Sequence, residues 1–125
     1  MLKYQSKNFA KSAYYALNGL RLAFKSQRNF KKHILIFTTS LVVAFFLKLD
    51  LISLCLIILA NSIALSLELL NSAIEFILDA YYKNKWAKLA KLAKDMSAGA
   101  VLISSCAAFG ITLLLCLNKI YLLYF

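Results

Sequence analysis

The chain has 125 residues, 62% hydrophobic, 14% aromatic and only 16% charged, with three glycines and no proline. That length holds one domain, and a domain this small buries too little of its surface to hide so large an apolar excess, which excludes a soluble monomer, a disordered tail and any fold rich in tight turns. Fifteen Lys and Arg against five Asp and Glu give a net charge of +10, and in so apolar a chain this points to an anionic membrane surface rather than to nucleic acid.

Residues 1–32 carry Lys and Arg but no acid, and they predict an amphipathic surface helix. Lys3, Lys7 and Lys11 recur every four residues on one face, and Phe9, Ala13, Ala16, Leu20 and Phe24 fall on another, the layout of a helix lying on a leaflet. Gly19, after Asn18, is a place where this helix is expected to kink or break. The basic, aromatic start has no early apolar core, so no cleavable signal peptide is expected.

Three uncharged runs follow, at 34–47, 51–67 and 96–118. As helices they cover about 21, 25 and 34 Å, against a hydrocarbon core of roughly 30 Å. The first spans if Lys48 snorkels outward and Lys31 and Lys32 anchor its other end. We therefore read an all-α membrane protein with a surface helix and three transmembrane helices, at about 33–49, 51–82 and 95–120. Segments 1–33 and 80–95 hold thirteen Lys and Arg, and the other side only Lys48 and Lys119. The positive-inside rule then puts the N-terminus and the 80–95 loop in the cytoplasm and the C-terminus outside. Cys55, Cys106 and Cys116 lie in apolar runs without paired spacing and read as packing residues. Ala100, Ser104 and Ala108 on the third span, with Cys106 and Gly110, form a small-residue face suited to close helix packing.

The chemistry concentrates on the second span. With Glu68 as zero and about 100° per residue, Asn71 falls near −60°, Glu75 near −20°, Asp79 near +20°, Ser72 near +40° and Asn61 near +20°. This is one polar stripe on an otherwise apolar helix. Ionisable groups inside a membrane are costly, which makes them candidates for function. Glu68 is about 25 Å in from Asp50, just inside the cytoplasmic interface, and Glu75 is about 10 Å further on. Glu68 can meet a group at the head of a lipid, and Glu75 a cytosolic solute or its metal ion. The competing structural reading makes Asn61, Asn71 and Ser72 interhelix glue and lets Glu75 and Asp79 pair with the basic loop. That loop, Lys83 to Lys94, suits a polyphosphate with its cation, or serves only topology. His33, the one histidine, sits where the basic segment enters the first span and reads as an interfacial hydrogen-bonder. No G-x-x-x-x-G-K-[ST], kinase glycine loop, H-E-x-x-H, nucleophile elbow or Cys/His metal set is present.

Glu68-Leu-Leu-Asn71-Ser-Ala-Ile-Glu75, then Ala93-Lys94-Asp95-Met96 and Ala98-Gly99-Ala100-Val101-Leu102, closely resembles the bacterial diacylglycerol kinase family, the small integral-membrane family that includes undecaprenol kinases. The resemblance extends over about residues 14–118, taking in Gly19-Leu-Arg21 and Arg28-Asn29-Phe30. It implies a homotrimer with sites between subunits in the bacterial inner (cytoplasmic) membrane, and transfer of the ATP γ-phosphate to a membrane lipid alcohol at the cytoplasmic face, with Mg²⁺. By motif match Glu68 is the general base and Glu75 a metal ligand, with Tyr15, Asn71, Lys94 and Asp95 around the nucleotide and the 84–86 stretch as a nucleotide-contacting loop. Where the family often has a second metal-binding glutamate, this chain has Gln27, whose amide oxygen can coordinate a hard cation without adding charge. His33 and Ser97 are candidate lipid-side residues. The acceptor is undecaprenol or diacylglycerol, and the few hydroxyls near the spans (Thr38, Thr39, Ser40, Ser72 and Ser97) favour the polyprenol. The rival readings are a small proton- or cation-coupled transporter that uses Glu68 as its site, and a non-catalytic membrane protein in which the polar stripe is dispensable.

Overall fold

The computed structural model describes residues 8–83 and 85–124. Within them all the regular structure is helical, in four helices: α1 (Phe9–Ser26), α2 (Arg28–Phe46), α3 (Leu51–Tyr82) and α4 (Lys88–Tyr124). Lys3, Lys7 and Asn84 lie outside the described residues.

α1 passes through Gly19 without interruption, so the expected kink is not there. The break falls instead at Gln27, whose extended backbone (φ −103°, ψ 112°) both ends α1 and starts α2. Residues 28–32, assigned from their charge to the surface helix, are the first turn and more of α2. The reason is local: the Gln27 N–H still closes the last turn of α1 on Ala23 O at 2.8 Å, while Gln27 O receives Lys31 N at 3.4 Å, so one residue serves both helices. α1 packs lightly, burying only Ala23.

α2 and α3 form a tight hairpin. Leu49 N donates to Ala44 O at 3.1 Å and Lys48 N to Phe45 O at 3.0 Å, the paired bonds of a Schellman C-cap. The residue in the left-handed position is Lys48 (φ 51°), where glycine is usual, at a cost of roughly 1 kcal/mol. The hairpin places Leu49 in a core cluster with Ala44, Ile57 and Cys116. α3 then starts from a well-made N-cap: Asp50 accepts from the N–H groups of Ile52 (3.1 Å) and Ser53 (3.3 Å) and from the Ser53 hydroxyl (2.6 Å). These bonds hold the exposed Asp50 carboxyl below the usual carboxylate range, the Ser53 hydroxyl contributing most.

α3 and α4 make the most extensive contact in the molecule and run antiparallel. α4 begins at Lys88, seven residues before the expected 95, so Lys88 to Lys94 of the basic loop are helical. α3 and α4 are each long and apolar enough to cross a membrane, with only 22% and 17% of their most apolar windows buried. A soluble core helix would bury most of that surface; here Leu51, Ile52, Leu102, Ile103, Phe109 and Leu114 face outward. On α2, α3 and α4 several hydroxyls fall back on their own backbone. Thr38, Thr39, Ser40, Ser66 and Thr112 each donate to the carbonyl four residues earlier, which satisfies a polar group without a partner helix. Asn61, expected as interhelix glue, does likewise, bonding Ile57 O at 2.9 Å. Of the small-residue face on α4, Ala108 is buried and Ala100 exposed.

Candidate active site

The polar stripe of α3 lies at the end of the bundle away from the Ala44–Leu49–Ile57–Cys116 cluster, where α2 begins and where α3 gives way to α4. Glu68, Asn71 and Ser72 are all buried, and Glu68 is only 3% exposed. They are buried because α2 and α4 pack on the α3 face that carries them, leaving Leu70, Ile74 and Ile77 on the outside.

Three contacts organise the site. His33 on α2 brings Nε2 to 3.9 Å from Glu68 Oε2. Ser97 on α4 places its hydroxyl 2.6 Å from Asn71 Oδ1 and 2.9 Å from Lys94 O, while Asn71 Nδ2 donates to Glu75 Oε1 at 3.4 Å. The Asn71 amide is therefore oriented at both ends: its oxygen faces a hydroxyl and its nitrogen faces a carboxylate. Further along, Lys94 forms a short ion pair with Asp79 that joins the ends of α3 and α4. Thus Glu75 is held by Asn71, and the lysine paired with Asp79 is on α4.

Beside that ion pair is a cavity of about 330 Å³, lined by Asp79, Lys85, Trp86, Lys91, Lys94 and Asp95. It joins an aromatic ring to several cations. Trp86 carries no periodic signal, but it belongs to the 84–86 stretch that the resemblance picks out, and the fold places it and Lys85 in the wall of this cavity. A second, apolar groove of about 520 Å³ runs between α1 and α3, with Gly19, Leu20, Leu69, Ser72 and Phe76 in its walls.

Gln27 is at the α1–α2 break, and among the described residues no hydrogen bond or ion pair joins it to Glu75. Tyr15 is about half exposed on α1, edge-on to Tyr14. Among the described residues no three His, Cys, Asp or Glu side chains converge as a resident metal centre would need. Glu75 is an oxygen donor anchored by Asn71. A single anchored carboxylate suits a hard cation that arrives with its own phosphate ligands, as Mg²⁺ does.

The family described as prokaryotic diacylglycerol kinase matches this chain over residues 14–116. A diacylglycerol kinase of Synechocystis sp. is 38% identical over 101 residues, which are 81% of this chain but 58% of that protein, so the match spans little more than half its length. An undecaprenol kinase of Bacillus subtilis is 37% identical over 112 residues, 90% of each chain. A diacylglycerol kinase of Escherichia coli is 34% identical over 94 residues, 75% of this chain and 76% of its own.

Proposed function

We propose a reaction for this chain from one premise: it belongs to the prokaryotic diacylglycerol kinase family and is a lipid kinase of the membrane. The reaction is transfer of the ATP γ-phosphate to the hydroxyl of a membrane lipid alcohol at the cytoplasmic face of the bacterial inner membrane. The observation that carries it is Glu68, a buried carboxylate with a histidine beside it and an anchored second carboxylate two turns away.

Phosphoryl transfer asks for positioning and charge neutralisation more than for covalent chemistry. Glu68 takes the proton of the lipid hydroxyl as its oxygen attacks. Asn71, fixed by Ser97, holds Glu75 in place. Glu75, with Gln27, would hold Mg²⁺, which neutralises phosphate charge when it is bound with ATP. Lys94, steadied by Asp79, is placed for the phosphates, and Asp95, Trp86 and Lys85 wall the cavity offered to the rest of the nucleotide. Tyr15 adds to the nucleotide side from α1. His33 and Ser97 are the polar groups on the lipid side, and the apolar groove between α1 and α3 accommodates a hydrocarbon chain.

In this reading α2 is a third span, α1 lies on the inner leaflet with the N-terminus cytoplasmic, and the enzyme is a homotrimer. The outward apolar faces of α2, α3 and α4 support this arrangement, being too large for one thin layer of helices to bury. A chain of four helices does not enclose both a lipid and ATP, so the site is completed between subunits. For the acceptor we propose undecaprenol. The groove is almost wholly apolar, the α2 hydroxyls Thr38, Thr39 and Ser40 are occupied by their own backbone, and the undecaprenol kinase is matched over 90% of both chains. A polyprenol with one hydroxyl and no esters asks for no more. The test is competition between undecaprenol and diacylglycerol at equal mole fraction in mixed micelles. A higher kcat/KM for undecaprenol is expected, and a clearly higher value for diacylglycerol would reverse the choice of acceptor.

A further inference from the structure

We propose that His33 is the proton acceptor behind Glu68, so that a carboxylate–imidazole pair carries the lipid hydroxyl's proton out of the buried site. The inference rests on Glu68 acting as the base and adds the step that resets it.

A proton must leave the site on every turnover. The lipid oxygen forms a bond to the γ-phosphorus, and the bond from that phosphorus to the β,γ-bridging oxygen breaks, its electron pair leaving with ADP. The hydroxyl proton goes to Glu68. Its side chain is only 5% exposed, and a protonated Glu68 cannot begin the next cycle. Asn71 is engaged with Glu75 and Ser97, and Lys94 with Asp79. His33 Nε2 is 3.9 Å from Glu68 Oε2, and its side chain is 18% exposed, more open than the carboxylate it faces. The pair therefore leads outward. The remaining gap is about 1 Å longer than a hydrogen bond, and catalytic contacts often close by that much once substrate is bound.

Position and chemistry agree. His33 is the last polar residue before the uncharged run 34–47, so it stands at the interface rather than in the hydrocarbon. Imidazole accepts and releases a proton near neutral pH, which a lysine or a second carboxylate does less readily. To accept, Nε2 must be bare and Nδ1 must carry the hydrogen. The charged group facing His33 from α3 is Glu68, with Glu75 two turns beyond it on the same helix. On its own helix Arg28, Lys31 and Lys32 are exposed, and so are Lys11, Arg21 and Lys25 on α1. After transfer the imidazolium gives its proton to water, and both groups return to their starting charge.

The experiment is the pH dependence of kcat for phosphorylation of undecaprenol in mixed micelles with saturating ATP and Mg²⁺. It compares the whole wild-type enzyme with His33→Gln, His33→Asn and His33→Ala, with Glu68→Gln as control, each checked for intact assembly. Wild type should lose rate on the acid side with a midpoint in the histidine range. His33→Gln and His33→Asn should lose about 10²-fold in kcat, keep the KM for lipid within about twofold of wild type, and lack that acid limb. Added imidazole should restore rate to His33→Ala. A folded His33→Gln or His33→Asn that keeps wild-type kcat and raises only the lipid KM would make His33 a head-group contact and overturn the proposal, as would an unchanged acid limb or failure of imidazole to restore His33→Ala. Should Glu68→Gln itself turn over normally, the base assignment fails, and that result is distinct from a defect confined to His33.

Discussion

Ser97 is the α4 side chain whose hydrogen bond reaches the Asn71 amide. Its hydroxyl fixes which end of the Asn71 amide faces Glu75. Ser97→Ala leaves Asn71 Oδ1 in a buried place without that donor, and a lost buried partner costs about 1–3 kcal/mol. The amide is then free to turn its oxygen toward the carboxylate. Thermal unfolding should move down, and the Mg²⁺ concentration for half-maximal rate should rise; Ser97→Thr, which keeps the hydroxyl, should do neither. A Ser97→Ala enzyme with unchanged metal dependence would mean that Asn71 does not govern Glu75. Gln27 makes a complementary test. If it reaches the metal when the nucleotide binds, Gln27→Glu adds a charge to the donor set and lowers the Mg²⁺ requirement. An unchanged requirement would place position 27 outside the site. The polar stripe itself was legible in the sequence, because a helix of known pitch puts Glu68, Asn71, Glu75 and Asp79 on one face. Their partners on other helices were not, because helical periodicity says nothing about which residue of α4 meets Asn71.

At the scale of the elements, the breaks rest on single residues. α3 depends on Asp50, whose carboxylate caps two N–H groups and takes the Ser53 hydroxyl. Because those bonds lower its pKa in the folded state, the stabilisation is present above the unfolded-state value and is lost as pH falls through the lower folded value. The cap therefore survives mild acid and fails only below the usual carboxylate range. Asp50→Ala should lower the thermal midpoint near neutral pH, and Asp50→Asn, still a good N-cap, should retain most of it while losing the acid dependence. Equal losses in the two variants would mean that the cap bonds do not hold the start of α3. Sequence punctuation read this turn correctly, since Lys48-Leu49-Asp50 interrupts two apolar runs. It misread the first break. Gly19 drew attention as the flexible residue, yet a helix absorbs one glycine for about 1 kcal/mol, whereas Gln27 adopts an ordinary extended conformation that any residue reaches. Charge alone puts the start of α4 seven residues late, because it marks the end of the apolar run and not of the helix, and Ala and Lys are good helix formers.

For the whole molecule, the decisive feature is how little apolar surface a single chain hides. That surface must meet lipid or further copies of the chain, and the positive-inside expectation gives an orientation to test. A single cysteine placed at position 119 in a cysteine-free background should be labelled from outside intact spheroplasts by a membrane-impermeant maleimide, and one at position 88 only after lysis. The reverse pattern would invert the topology and carry Glu68 to the wrong face for ATP. Fold class was legible from composition alone, because 62% hydrophobic residues without proline leave few alternatives to helices in a bilayer. The cavity that Trp86 shares with Asp79, Lys91 and Lys94 was legible only through the resemblance, which picks out the 84–86 stretch, because helical periodicity does not reach residues between two helices. The central claim is that this lipid kinase takes its phosphate from ATP and uses Glu68 as the base. Its most direct test is transfer of ³²P from γ-labelled ATP to undecaprenol by the purified enzyme in mixed micelles, wild type beside Glu68→Gln. The account predicts labelled lipid from the wild type and a loss of about 10²–10⁴-fold in a folded, ATP-binding Glu68→Gln. Unlabelled lipid with the wild type, or equal labelling by the two proteins, would contradict it.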